Sequence, residues 1–167
     1  ILVSGQDKAG DFYRYTLGSL FKYVSFRIPE ISDDLFKIDK AMNAGFGWEL
    51  GPFETWDILG FDQGLKLIAD EKKEAAQWVK DMQAAGITSF YKTEAGNRYF
   101  YDRSSKTYKV IPGTENLILL DALRAEKKVW GNSDTTIVDL GDGVLNLEFH
   151  TKMNTIGGGV IEGLNIA

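Results

Sequence analysis

The stretch "AGFGWELGPFETWDILG", Ala44–Gly60, constrains this chain more than any other. It holds four glycines, one proline, two tryptophans and two phenylalanines, with three charged side chains. No single helix or strand can run through it. Glycine inside an element costs backbone entropy, and proline is tolerated only in the first turn of a helix. The spacing therefore predicts a break between helices. Gly45 is placed at the end of one helix as its C′ residue. Pro52, after Gly51, opens the next. Phe53, Trp56 and Leu59 fall on one face of that helix, and Gly60 ends it. The rings of Phe46, Trp48, Phe53 and Trp56 have two readings. They are core, as aromatics at helical spacing usually are, or they wall an apolar groove where glycines let a ligand approach the backbone.

The flanking sequence fits the same helical pattern. Asp7 or Asp11 caps a first helix, which is apolar on nearly all sides from Phe12 to Ile28 and is expected to be buried or packed on several neighbours. Pro29 is expected to stop it, because the residue before a proline is pushed out of helical geometry. Ser32 is placed as the next N-cap, with Asp33 and Asp34 in the first turn and Leu35, Ile38 and Met42 as the inward stripe. Asp62 starts a further helix with Leu65, Ile68 and Ala69 inward. A last one covers Lys73–Ala85, with Trp78, Val79 and Met82 on its face and Gly86 after it. Asp11–Gly86 thus reads as a compact set of five short helices.

The period changes at Thr88. "SFYK" and "NRYFYDRSSKTYKVI", Asn97–Ile111, alternate aromatic and polar residues as a hairpin does, and Pro112-Gly113 breaks it. "LILLDALRAEKK" is expected to be a short strand to Leu120, then a helix capped by Asp121. "TTIVDLGDGVLNLEFH", Thr135–His150, gives two strands around Gly141-Asp142-Gly143, the clearest hairpin in the chain. Because a lone hairpin is marginal, Thr135–Phe149 is expected to dock on the segment before it or on another copy of the chain.

Charge and composition exclude several functions. Lys and Arg number 19 against 24 Asp and Glu, a net charge of −5, which argues against a nucleic-acid backbone binder. The chain has no cysteine, so disulfides, thiolate zinc sites and thiol catalysis are excluded. No apolar run reaches the ~20 residues of a membrane helix, and no signal peptide is visible. The expected location is cytoplasmic. The two ends, Ile1 and "VIEGLNIA", read as cuts within a longer protein.

Candidate chemistry is sparse. His150 is the one histidine. It is a possible general base, but no Ser or Cys nucleophile stands beside it, so a structural or solvent-facing role is the plainer reading. "GGGVIEG", Gly157–Gly163, is rich enough in glycine to cradle phosphate, yet its spacing is not G-x-G-x-x-G and no strand immediately precedes it. It reads as a loop entering a helix. Glu49/Glu54 and Asp33/Asp34 have no metal-ligand companions and read as caps or solvated faces, and Asp139 and Asp142 as turn residues.

A longer pattern adds to this reading. "IDKAMNAGFGWELGPFETWDILG", Ile38–Gly60, resembles the helical C-terminal domain of the 3-hydroxyacyl-CoA dehydrogenase family. The family pattern is matched by Asp39, Ala41, Met42, Gly45, Gly47, Gly51, Pro52, Phe53, Glu54, Asp57 and Gly60. Thr135–Ala167, with the Gly141–Gly143 hairpin and "KMNTI", Lys152–Ile156, resembles the start of a crotonase, or enoyl-CoA hydratase/isomerase, domain. The two together are similar to bifunctional enzymes of fatty-acid β-oxidation. The resemblance implies a mainly α fold, a compact five-helix bundle followed by β-hairpins and so α+β overall. It divides the chain into a helical domain at 1–87, a connector at 88–129 and a truncated crotonase-like part at 130–167.

The same resemblance implies a parent that oxidises 3-hydroxyacyl-CoA with NAD. The family's NAD-binding Rossmann domain and its catalytic His and Glu are not in this chain. Asp11–Tyr23 lacks the family's G-F-x-x-N-R segment with its catalytic Asn, so the helical part resembles a second copy. No catalytic, cofactor-binding or metal residue is expected here, and the chain is expected to be inactive alone. Trp48, Pro52 and Phe53 are nominated for the wall of the acyl groove, and Lys152 and Met153 for the approach of CoA. Expected partners are acyl-CoA, the Rossmann and crotonase domains, and a second copy in a homodimer, with neither nucleic acid nor membrane. The competing reading is a non-catalytic helical dimerisation or interaction module. A free-standing enzyme using His150 is the third.

Overall fold

The computed structural model describes residues 2–94, 96–114 and 117–167. The fold is α+β. Among the described residues it comprises seven α-helices and two antiparallel three-stranded sheets, with short 3-10 turns at Leu2–Ser4 and Lys152–Asn154. The chain divides into two compact units. The first takes the chain up to Lys92 together with Tyr99–Ile111, and the second the remaining described residues.

The first unit is built on α1 (Lys8–Ile31), α2 (Leu35–Phe46), α3 (Pro52–Leu59), α4 (Phe61–Asp70) and α5 (Gln77–Ala84). Asp7 caps α1 by accepting from the Gly10 amide at 2.8 Å. One face of α1 is buried, through Phe21, Val24 and Ile28, whereas Phe12, Tyr15, Tyr23 and Phe26 are exposed. Of the two expectations for this apolar helix, packing on more than one neighbour is the one found, with α3 and α4 both covering its buried side.

Pro29 does not stop α1, which runs on to Ile31. A proline within a helix leaves the carbonyl four residues back without its amide donor. Here that carbonyl belongs to Ser25, and the Trp78 indole N–H from α5 donates to it at 2.7 Å. The Ser25 hydroxyl also accepts from the Ala76 amide and donates to the Lys22 carbonyl. A tertiary bond thus repairs the break that local rules predict.

Other boundaries shift by one to four positions. Asp34, not Ser32, stands at the N-cap of α2, and the Ser32 hydroxyl accepts from the Asp34 amide instead. Asp33 and Asp34 therefore precede the first turn of α2. Helix α2 ends at Gly47 rather than Gly45, with φ of 67° in the left-handed region that glycine adopts without strain. On α4 the inward residues are Leu67 and Ile68, and Ala69 is exposed. Helix α5 begins only at Gln77.

Strands β1 (Tyr91–Glu94), β2 (Asn97–Asp102) and β3 (Thr107–Val110) form one sheet in chain order. The core of the first unit is aromatic, and Phe90 stands at its centre. Its ring lies 5.1 Å from Phe53, 5.0 Å from Trp56, 5.3 Å from Phe61 and 5.8 Å from Trp78. Trp56 stacks on Phe21 at 4.8 Å and donates its N–H to the Phe61 carbonyl. Offset and edge-on rings of this kind add attraction beyond their buried area.

The second unit holds α6 (Leu120–Lys127), β4 (Lys128–Gly131), β5 (Thr135–Gly141), β6 (Val144–Phe149) and α7 (Gly158–Ile166). The strands pair antiparallel in the order β4-β5-β6, and Asp142 and Gly143 turn the hairpin with positive φ. Adjacent residues Ile137 and Val138 are both buried, so both faces of β5 are covered, with α6 and α7 packed on it. The hairpin docks as expected on the segment before it. Arg124 of α6 forks onto Glu148 of β6 with bonds of 2.7 and 2.6 Å. The strand expected before Leu120 is absent. Leu117 and Ile118 are exposed, and α6 begins at Leu120 with Leu119, not Asp121, at its cap.

Replacing Trp78 by Phe keeps a ring against Phe90 but orphans the Ser25 carbonyl, with an expected cost of about 1–3 kcal/mol. Pro29→Ala in that background restores an amide donor and should recover part of the loss, as read by urea denaturation of the single and double variants.

Candidate functional site

The turn between α2 and α3 is built around one buried carboxylate. Asp39 is 2 % exposed. Its Oδ1 accepts from the Phe53 amide at 3.0 Å, and its Oδ2 accepts from the Glu54 amide at 3.1 Å and from the Tyr91 hydroxyl at 2.7 Å. Two of the amides left open at the start of α3 are thereby satisfied from another helix. Glu54 reaches back to accept from the Gly51 amide at 2.8 Å, as in a capping box. Gly51 packs directly on the Asp39 side chain, and a β-carbon there would overlap it. Asn43 holds the loop by donating to the carbonyls of Trp48 and Glu49.

A second carboxylate ties α3 to the sheet. Asp57 accepts from the amides of Phe90 and Tyr91, each at 2.8 Å, and from the Ser89 hydroxyl. Burial pushes the Asp39 carboxyl up from an ordinary 3.8 to about 6, against the opposing effect of its hydrogen bonds.

Beside this turn lies an apolar groove of about 310 Å³. Leu20, Val24 and Ile28 of α1 line it with Ile38 and Met42 of α2 and Pro52 of α3. Tyr23 and Arg27 supply the polar side chains of its lining, and a groove of this size and character is of the kind that holds small apolar ligands.

The nominated wall residues are placed differently from one another. Pro52 lines the groove, Phe53 is fully buried among the aromatic rings, and Trp48 is 39 % exposed in the loop. The opening cluster thus divides: Phe53 and Trp56 are core, while Phe46 is 75 % exposed. Lys152 and Met153 lie in the second unit, in the 3-10 turn, where Met153 has φ of 56° and is 91 % exposed. Phe90, Tyr91, Ser25 and the α1 side of the groove escaped the sequence reading. A phenylalanine before a strand and a serine inside a helix carry no local mark of a tertiary role.

The remaining candidates are structural. His150 is exposed and shares a 2.8 Å hydrogen bond with the Thr136 hydroxyl. Among the described residues no group of three or more His, Asp or Glu could hold a metal ion. The residues of the glycine-rich loop do not fit a dinucleotide. The Asp134 carboxylate packs against Gly159, and Asn132 donates to the Gly159 carbonyl, so an acid stands where phosphate would have to approach. No described helix is long and apolar enough to cross a membrane.

The buried Asp39 and the half-buried Asp57 together hold the turn and α3 onto β1. Residues 27–99 match the family model of the 3-hydroxyacyl-CoA dehydrogenase C-terminal domain. That match covers α2, α3, α4 and α5 and both aspartates. Over 162 residues, 96 % of the chain, the sequence is 38 % identical to a probable 3-hydroxyacyl-CoA dehydrogenase of Bacillus subtilis. The chain spans about 20 % of that relative's length. It is also 30 % identical over 53 residues, 32 % of the chain and 7 % of the relative, to a putative fatty acid oxidation complex trifunctional enzyme of Rickettsia felis. A counterpart with the same description in Rickettsia prowazekii is 28 % identical over 57 residues, 34 % of the chain and 8 % of the relative. The chain is therefore similar to a stretch of 3-hydroxyacyl-CoA dehydrogenase.

Native Asp39 keeps its proton through a range in which the unfolded chain has released it. The stability linked to that proton is full below 3.8 and is lost as pH rises through about 6. The margin of the wild type over Asp39→Asn should therefore shrink by roughly 2–3 kcal/mol between those limits, as measured by denaturation at a series of pH values. Gly51→Ala should destabilise the first unit by roughly 2–3 kcal/mol through overlap with Asp39, as read from the same denaturation curves.

Proposed function

We propose that the chain is a non-catalytic part of a longer 3-hydroxyacyl-CoA dehydrogenase of fatty-acid β-oxidation. The observation that carries this reading is the use of the carboxylates in the matched segment. Asp39, Glu54 and Asp57 all accept backbone amides that fix α3 and β1. They brace the fold, and a carboxylate engaged in this way is not placed to take a proton from a substrate. The names of the relatives support both the dehydrogenase and the fatty-acid oxidation setting.

The whole enzyme would oxidise a 3-hydroxyacyl-CoA to the 3-oxoacyl-CoA, NAD accepting the hydride. The residues that bind NAD and carry out the oxidation belong to other parts of that protein. Here the first unit supplies the brace and the groove beside Pro52, with Trp48 and Phe53 supporting its acyl-facing wall. The second unit is the beginning of a hydratase-like part, with Lys152 and Met153 towards CoA. Cytoplasmic location and pairing of two helical units belong to the same proposal. A helical interaction module remains the second reading, because Phe12, Tyr15, Tyr23 and Phe26 leave one side of α1 apolar and exposed.

The test is the Gly51→Ala exchange in the whole dehydrogenase, assayed with acetoacetyl-CoA and NADH. The expected outcome is a lower melting temperature with kcat per folded enzyme unchanged, and no NADH oxidation by the 167-residue chain alone. Turnover by the isolated chain that His150→Ala abolishes would overturn the reading. A concentration-dependent dimer without any response to acyl-CoA would favour the interaction module.

A further inference from the structure

The chain carries three methionines and no cysteine, so every sulfur in it is a thioether. The three stand in different surroundings. Met82 is fully buried in the core of the first unit. Met42 is half-buried and lines the apolar groove. Met153, in the 3-10 turn of the second unit, is 91 % exposed, the most open large apolar residue among those described.

The turn around Met153 is held without its side chain. The Thr151 hydroxyl donates to the Thr155 carbonyl and the Thr155 hydroxyl to the Lys152 carbonyl, each at 2.8 Å. The amides of Asn154 and Thr155 donate to the carbonyls of Thr151 and Lys152. Met153 and Asn154 both have left-handed backbone, with φ of 56° and 54°, a conformation that residues with a β-carbon rarely adopt. Backbone bonds and two hydroxyls thus fix a strained turn whose tip is a thioether in water. A scattered apolar residue on a surface is ordinary. An open thioether is different, because it is oxidised by peroxides.

We propose that Met153 is a reversible oxidation site of this chain, taking one oxygen atom from hydrogen peroxide ahead of Met42 and Met82 and without loss of the fold. A sulfur lone pair attacks one peroxide oxygen, and the S–O bond forms as the O–O bond breaks. The departing hydroxide takes the proton of the sulfur-bound oxygen and leaves as water. The sulfur loses two electrons and the peroxide gains them. With no thiol in the chain, neither a sulfenic acid nor a disulfide competes for the oxidant.

Position decides what the added oxygen does. At Met153 it projects into solvent and breaks no hydrogen bond of the turn. At Met42 it would stand among the aliphatic side chains of the groove, and at Met82 in the core, where an unpartnered polar group is costly. The order of access is therefore also the order of tolerance. A sulfoxide at the surface is open to the reductases that restore methionine. Oxidation turns the tip of the 151–156 turn from apolar to polar and back again. This holds whether or not Met153 faces CoA in a longer enzyme.

Graded hydrogen peroxide on the full chain, followed by peptide mass mapping and thermal melting, tests it. Met153 should be oxidised at close to the rate of free methionine and Met42 several-fold more slowly, while Met82 should react only once the chain unfolds. The singly oxidised chain should melt as the untreated chain does. Methionine sulfoxide reductases specific for the two epimers should return it to its starting mass. Met153→Leu should abolish the first, fast uptake of oxygen with the melting temperature kept, and the mapping of the unaltered chain stands without that variant. First oxidation at Met42, a lowered melting temperature after one oxygen, or a product that the reductases leave unchanged overturns the proposal. None of these results bears on the Gly51→Ala assay of the whole enzyme, so the scaffold reading stands or falls separately.

Discussion

The first unit depends on a carboxylate that has been taken out of water. Asp39 joins three elements through a few hydrogen bonds, the start of α3 through two amides and β1 through a tyrosine hydroxyl. Leaving a buried acid without donors would be costly, and leaving the first amides of a buried helix without acceptors would be costly as well. Each need answers the other. The groove follows from this arrangement, because the bond network sets Pro52 beside Ile38 and Met42 at the junction of α2 and α3. The cost appears in the raised proton affinity of Asp39, whose burial outweighs its hydrogen bonds.

Asp57 performs the corresponding task one turn further along α3. By accepting from the amides of Phe90 and Tyr91 it fixes where the chain leaves the helices and enters the sheet. That placement sends the Phe90 ring into the middle of four other aromatic rings. Polar and apolar contributions are therefore coupled. The aspartate orients the backbone, and the ring it positions fills the core. An acid in a sequence motif invites a catalytic reading, but Asp39 and Asp57 both serve as acceptors for backbone.

Surface chemistry on α1 contrasts with that buried frame. The helix presents aromatic and basic side chains on one side and aliphatic ones on the other, and Tyr23 and Arg27 stand between them. Long basic side chains of this kind lay their stems along apolar surface and keep the charge in water. Periodicity alone could not separate these faces, because tyrosine and phenylalanine count as apolar whether they point to core or solvent. The sequence reading therefore allowed either burial or packing on several neighbours, and the structure packs α1 on α3 and α4 with five of its six aromatic residues outside.

The sequence by itself determined the helical first part, the interruption before Pro52, the two-residue turn at Asp142-Gly143 and the lack of any cysteine. These are local matters of backbone freedom, period and residue type. Only the tertiary structure decided that α1 continues through Pro29, since the rescuing donor is Trp78, far along the chain. It alone decided that Phe46 is outside while Phe53 is inside, and that the acids of the motif are braces. The physical reason is common to all three. A donor, a dry neighbour or an acceptor supplied by a distant segment has no signature at the residue that receives it.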